Sequence, residues 1–194
     1  LLKDGHQLVI VDNFNDYYDI KIKWQNVASH MSNERYKLCV VDIENKEALR
    51  KVFAENKFDC VIHLAGRAGV RPSIAMPELY VNSNILGTVH ILELMKDYDV
   101  KKFVFASSSS VYGNCKAEMF SEDLNVREPI SQYAASKSSD EQFAYTYSKL
   151  YGIKTVCLRF FTVYGPRQRP DLAINKFCRL IENNQPIEMY GDGS

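Results

Sequence analysis

The sequence predicts an α/β fold built on a parallel sheet, and three observations predict it. Short β-rich runs recur along the 194 residues, helical stripes occupy the intervals, and polar or small residues gather at the carboxyl ends of the runs. Taken in order, "LLKDG" (1–5) reads as the last turn of a helix closed by Gly5. The runs "QLVIVD" (7–12), "YKLCVVD" (36–42), "DCVIHLA" (59–65), "KFVFASS" (102–108) and "KTVCLRFF" (154–161) follow. Several are continuously apolar, as strands covered on both faces are. Between them, Ala48, Leu49, Val52 and Phe53 make one helical stripe, Ile85, Val89, Leu92 and Met95 a second, and the stretch from Tyr133 to Tyr151 a third. Such alternation argues for right-handed βαβ units. After Gly165-Pro166 the character changes, and Ala173, Phe177, Leu180 and Ile181 form a last stripe. The expected organisation is therefore one domain over 1–165 and the start of a second region over 166–194.

Bulk composition narrows the function classes. Hydrophobic residues make up 46% and charged residues 25%, enough to bury one core. Lys plus Arg and Asp plus Glu are both 24, so no basic excess invites nucleic acid or an anionic membrane. No apolar run approaches the ~18 residues of a membrane span. Five cysteines (Cys39, Cys60, Cys115, Cys157, Cys178) form no CxxC and read as reduced thiols of a cytoplasmic protein. His6, His30 and His90 show no metal-ligand spacing, and no metal is expected.

In open parallel sheets the ligand crevice lies beyond the carboxyl ends of the strands. Asp12-Asn13, Asp42-Ile43, Leu64-Ala65-Gly66 and Ser107 to Ser110 all lie at such ends. A dinucleotide site would add G-x-G-x-x-G, yet no glycine occurs between Gly5 and Gly66. In that fingerprint the ribose-binding acid follows the glycines by ~20 residues. If Asp12 is that acid, the glycines belong before residue 1; alternatively Asp12 merely ends a strand, and composition leaves both readings open.

"QYAASK" (132–137) places a phenol and an ammonium four residues apart, one helical turn, on one face. A phenol of pKa ~10 is a poor base near neutrality. A lysine one turn away favours its phenolate and brings that pKa into a useful range. His63, in "VIHLAG", is expected to be a hydrogen-bonded packing residue rather than a catalyst.

The spacing of "ASSSSVYG" (106–113) and "YAASK" (133–137), with "DNFNDYYD" (12–19), "VIHLAGRAGVRPSI" (61–74), "NSNILGT" (82–88) and "LRFFTVYGPRQRPDLA" (158–173), resembles the extended short-chain dehydrogenase/reductase family, and within it the nucleotide-sugar epimerases. The resemblance covers nearly the whole chain in the family's order. It implies a Rossmann-like parallel sheet with helices on both faces, here lacking the first strand and the glycine-rich loop and stopping early in the substrate-binding region. It also implies NAD as cofactor, a UDP-sugar substrate and a homodimer formed through two helices.

Residue by residue, the resemblance implies Ser108, Tyr133 and Lys137 as the catalytic trio, with Ser107 and Ser109 close rivals of Ser108. Asp12 and Asn13 would hold the adenosine ribose, Asp42 and Ile43 the adenine, and Leu64, Ala65 and Gly66 a wall beside the cofactor. Asn84 would sit behind the site, and Lys137 would also reach the nicotinamide ribose. Ser109, Ser110, Arg71, Thr162 and Arg169 would face the nucleotide sugar.

The implied reaction is 4-epimerisation of a UDP-hexuronate through a transient 4-keto sugar. A 4,6-dehydratase or decarboxylase of the same family is the alternative. Related dehydratases carry an Asp-Glu pair before "VYG", whereas Ser109 and Ser110 stand here, leaving no acid for elimination but hydroxyls able to hold a carboxylate. A non-catalytic fragment is the reading from a different class.

Overall fold

The structure is a computed structural model and describes residues 1–188. Its strands are β1 (Leu8–Asp12), β2 (Tyr36–Val40), β3 (Val61–His63), β4 (Lys102–Ser108) and β5 (Lys154–Phe160). All pairings are parallel: β1 with β2, and β3-β4-β5 in that order as a second sheet. Each strand lies within an apolar run read from the sequence, trimmed at its ends. The run 59–65 shrinks most, to three residues, because Leu64 onward turns away as an exposed loop.

The helices are α1 (Ile20–Ala28), α2 (Lys46–Glu55), α3 (Val70–Ala75), α4 (Pro77–Tyr80), α5 (Gly87–Asp97), α6 (Gln132–Tyr151) and α7 (Ala173–Glu182). Two departures from α geometry bear on the site. Val81–Leu86 is a π-helical turn leading into α5, and Ser109–Tyr112 is a 3₁₀ turn after β4. The stretch 1–5, expected as the last turn of a helix, is a hydrogen-bonded turn in which Gly5 has φ 91°.

Two compact units divide the chain. The first comprises Leu1–Asn13 and Glu34–Phe161, the second Phe14–Asn33 and Thr162–Ser194. Positions 189–194, the end of the region expected over 166–194, lie outside the described residues.

The first unit's core sits between the strands and α2, α5 and α6. Leu49 and Phe53 of α2, Leu92 and Met95 of α5, Phe103 and Phe105 of β4 and Ala144 of α6 form one buried cluster. The stripes at 48–53 and 85–95 supply it. On the other face of β3-β4-β5, Ile62, Val104 and Val156 fall in register, and Ile62 and Val156 are exposed. Leu64, Leu158 and Phe160 are exposed as well.

In the second unit Phe14 stacks on Trp24 at 4.2 Å between ring centroids. There Arg169 lies over the Tyr17 ring and forms a forked pair with Asp171, at 3.0 and 2.8 Å.

Candidate active site

Helix α6 begins where Ser131 caps it, accepting a hydrogen bond from the Ala134 amide at 3.1 Å, and ends where Gly152 turns left-handed at φ 68°. These two signals bracket 20 residues with Tyr133 in the first turn and Lys137 in the second. Lys137 is buried, and its Nζ stands 4.6 Å from the centroid of the Phe105 ring on β4. Burial holds its pKa below the ordinary lysine value, while Asp140, one turn further along α6, pulls it back up.

Asn84 joins the site to its loop. It is 1% exposed, and its Oδ1 accepts from the Arg67 amide at 2.7 Å. Its Nδ2 donates to the Arg67 carbonyl at 3.0 Å and to Ser136 Oγ at 2.9 Å. Ser136 in turn donates to the Tyr133 carbonyl at 2.8 Å. The loop after β3 is thereby stitched to α6 between Tyr133 and Lys137. Asn84 itself lies within the π turn Val81–Leu86, a local geometry that often marks functional sites.

Gly66 lies where loop and helix meet. It has φ 141°, and a Cβ there would stand 3.0 Å from Asn84 Oδ1 and 3.5 Å from Lys137 Nζ. Only glycine tolerates that backbone and leaves the approach to the ammonium clear. Beside it Tyr80 Oη lies 3.0 Å from both the Ala68 and Gly69 carbonyls, and its ring meets Tyr133 edge to face at 6.1 Å.

The serine run divides its labour. Ser107, on the α6 side of β4, donates a short hydrogen bond to Glu141 Oε1. Glu141 also pairs in a fork with Arg159 of β5, at 3.0 and 2.8 Å. Ser107 is thus tied into a clamp with Glu141 and Arg159. Strand alternation turns Ser108 off that face, and its Oγ accepts from the Ser110 amide at 3.1 Å, capping the 3₁₀ turn that packs on α6. Ser109 and Ser110 are half-buried in that turn.

At the ends of β1 and β2, Asn13 Nδ2 donates to Asp42 Oδ2 at 2.7 Å, while Asp12 is exposed. Ile43 is buried, its side chain against Gly87, where an added Cβ would stand 2.6 Å from Ile43 Cδ1. Its side chain belongs to the core. Leu64 and Gly66 are exposed and Ala65 is partly buried against the core. Arg71 is exposed on α3. Thr162 and Arg169 belong to the second unit.

The residue-level match extends to the whole sequence. Residues 1–194 fit the model of the NAD dependent epimerase/dehydratase family. The chain belongs to that family. Among relatives, the UDP-glucuronate 4-epimerase of Thermodesulfobacterium geofontis is 46% identical over 194 residues, covering 100% of this chain and 60% of that protein. Protein CapI of Staphylococcus aureus is 44% identical, covering 100% and 58%. Among solved structures, the UDP-glucuronic acid 4-epimerase of Bacillus cereus, in complex with UDP-glucuronic acid and NAD, superposes with a TM-score of 0.91 at 38% identity, covering 100% of this chain and 60% of that one. A dTDP-glucose 4,6-dehydratase of Streptomyces venezuelae with NAD bound gives 0.87 at 27% identity, covering 96% and 56%. The chain therefore spans about 60% of the length of these family members.

His63 is the packing residue expected, buried with Nε2 3.0 Å from Thr88 Oγ1. Burial, and then the nearby Lys137 charge, lower its pKa to about 3, so the ring is neutral. Tyr80, Ser136, Asp140 and the Glu141–Arg159 clamp escaped the sequence reading. For Ser136, Asp140 and Glu141 only their spacing on α6 was available as a signal, and in sequence Asp140 and Glu141 look like a solvated helix face. Among the described residues, no three His, Cys, Asp or Glu side chains gather to hold a metal, and no helix is long and apolar enough to cross a membrane.

Proposed function

We propose that this chain carries the NAD site and the catalytic side chains of a UDP-hexuronate 4-epimerase. The observation that carries the reading is the buried Lys137 ammonium, cradled by Gly66 and Asn84 and one helical turn from Tyr133. The residues present fit a dinucleotide: Gly66 leaves room a Cβ would fill, and the Asn13–Asp42 pair supplies polar groups at the strand ends. Asp12 and Asn13 would hold the adenosine ribose, Asp42 and the Ile43 backbone the adenine, and Leu64, Ala65 and Gly66 the wall beside the cofactor. When bound, NAD supplies the acceptor for the hydride on C4 of the sugar and its return to the opposite face.

Tyr133 takes the C4 hydroxyl proton as hydride leaves and gives it back as hydride returns. Lys137 favours the phenolate and holds ribose hydroxyls. Ser108 hydrogen-bonds the reacting oxygen and fixes its distance from Tyr133. Ser109 and Ser110 meet the sugar carboxylate, with Arg71 on the nucleotide sugar. Hydroxyls in place of an acid before "VYG" favour epimerisation over elimination. The protein acts as a homodimer, for which Phe143, Tyr145 and Leu150, exposed on α6, supply apolar surface.

The test uses the product of the complete reading frame. It should convert UDP-glucuronate to UDP-galacturonate, and Tyr133→Phe should abolish turnover while NAD stays bound. Undiminished turnover in that variant would remove Tyr133 from the mechanism.

A further inference from the structure

One buried charge has no role in the reaction outlined above. Asp140 is 0% exposed, and neither carboxylate oxygen has a hydrogen-bond partner among the described residues. A polar group so placed is costly, and a carboxylate more so, unless something compensates it. Asparagine or serine would fill the same space at lower cost. We infer that Asp140 is a positioning residue, the buried counter-charge behind Lys137 that holds the ammonium beneath the Gly66 loop and sets the pH span over which Tyr133 and Lys137 work.

The surroundings support this. Lys137 and Asp140 stand three apart on α6, on one face and both buried. From β3 comes His63, neutral and bonded to Thr88. From α5 comes Thr88, which faces the carboxyl but has its hydroxyl on His63 rather than in a well-formed bond to Asp140. From β5 comes Cys157, a thiol that burial chiefly pushes up to about 11 and that is therefore uncharged. Glu141 neighbours Asp140 on the helix, but its charge is met by Arg159 and Ser107. Lys137 is the cation left facing Asp140.

Burial delays ionisation of the acid, so Asp140 becomes the counter-charge as pH rises toward the alkaline limb. Burial raises the Asp140 carboxyl to about 8, against the pull of Lys137, while burial lowers Lys137 against the pull of Asp140. The two share protons as a pair, so a charge change that an exposed aspartate makes near pH 4 occurs here near the working range.

The inference rests on the epimerase reading, and the experiment separates the two. In the product of the complete reading frame, aspartate γ-carbons are labelled with ¹³C and followed by NMR against pH, with and without Asp140→Asn. The resonance lost in that variant should titrate several units above ordinary aspartates, and higher still in Lys137→Met. In parallel, kcat for 4-epimer formation is measured against pH. Asp140→Asn removes the counter-charge, so Lys137 loses its proton sooner and the alkaline limb should move down by roughly one pH unit. Asp140→Ser serves if the asparagine variant does not fold. A resonance that Lys137→Met leaves unmoved, or a uniform fall in kcat with the limb unmoved, would overturn the inference and leave Asp140 a packing residue. Absence of turnover in the native protein would sink the epimerase reading instead; the NMR titration would then decide the pairing alone.

Discussion

Three hydrogen bonds converge on the Asn84 amide, and they use its full donor capacity. Asn84→Ala strands the Arg67 amide and carbonyl beside a cavity, and should cost about 2–4 kcal/mol in urea unfolding, with weakened NAD binding. His63 makes a prediction in pH. Its folded pKa of about 3 lies below the ordinary ~6.5, so the unfolded chain binds the proton first as pH falls. Stability on this account is complete above pH ~6.5 and is lost between there and pH ~3, on the order of 3 kcal/mol by pH 4. His63→Gln should flatten that acid slope in denaturation midpoints between pH 7 and pH 4. A slope unchanged by the substitution would place the acid sensitivity elsewhere.

At the scale of elements, α6 is the organising piece. Its first two turns bear Tyr133 and Lys137, and its third grips β4 and β5 through Glu141. The Arg159 and Glu141 side chains are 17% and 14% exposed, so solvent screens the pair somewhat. Glu141→Gln should therefore cost about 2 kcal/mol, below the range for a fully buried pair, and thermal melts would read it. Loosening this clamp frees Ser107, so turnover should fall more than the stability loss explains. Gly87→Ala pushes a methyl into Ile43 and should cost about 1–3 kcal/mol by the same measurement.

This scale also shows what the sequence disclosed. The five strands were legible because each is a compact apolar run, and α6 because Ser131 and Gly152 punctuate a long stripe. Helix α1 was not legible, since it buries no residue and offers only a weak stripe. Helices α3 and α4 are too short for periodicity to register. Tyr133 and Lys137 were visible as a spaced pair, whereas Asp140 was invisible because its burial depends on β3 and α5 arriving from elsewhere in the chain. The π turn left no trace beyond "NSNILGT".

For the molecule as a whole, the uneven cover of β3-β4-β5 matters most. Ile62, Val156, Leu158 and Phe160 form an exposed apolar surface on one face of the sheet. Parallel sheets ordinarily bury both faces. Residues 1–194 expressed as such should bind a hydrophobic dye, and Leu158→Ser with Val156→Thr should reduce that signal without lowering the melting point. Unchanged dye binding would assign the signal to another surface.

The stitch between Asn84 and Ser136 spans 52 positions of chain. Helix α6 draws its caps from its own sequence and can nucleate locally, but this bond waits on closure of a long loop. Closure of this loop is accordingly a late event in folding and an early one in unfolding. The amide proton of Arg67, which donates to Asn84, is sheltered only once the loop has closed, and its exchange with solvent reports that closure.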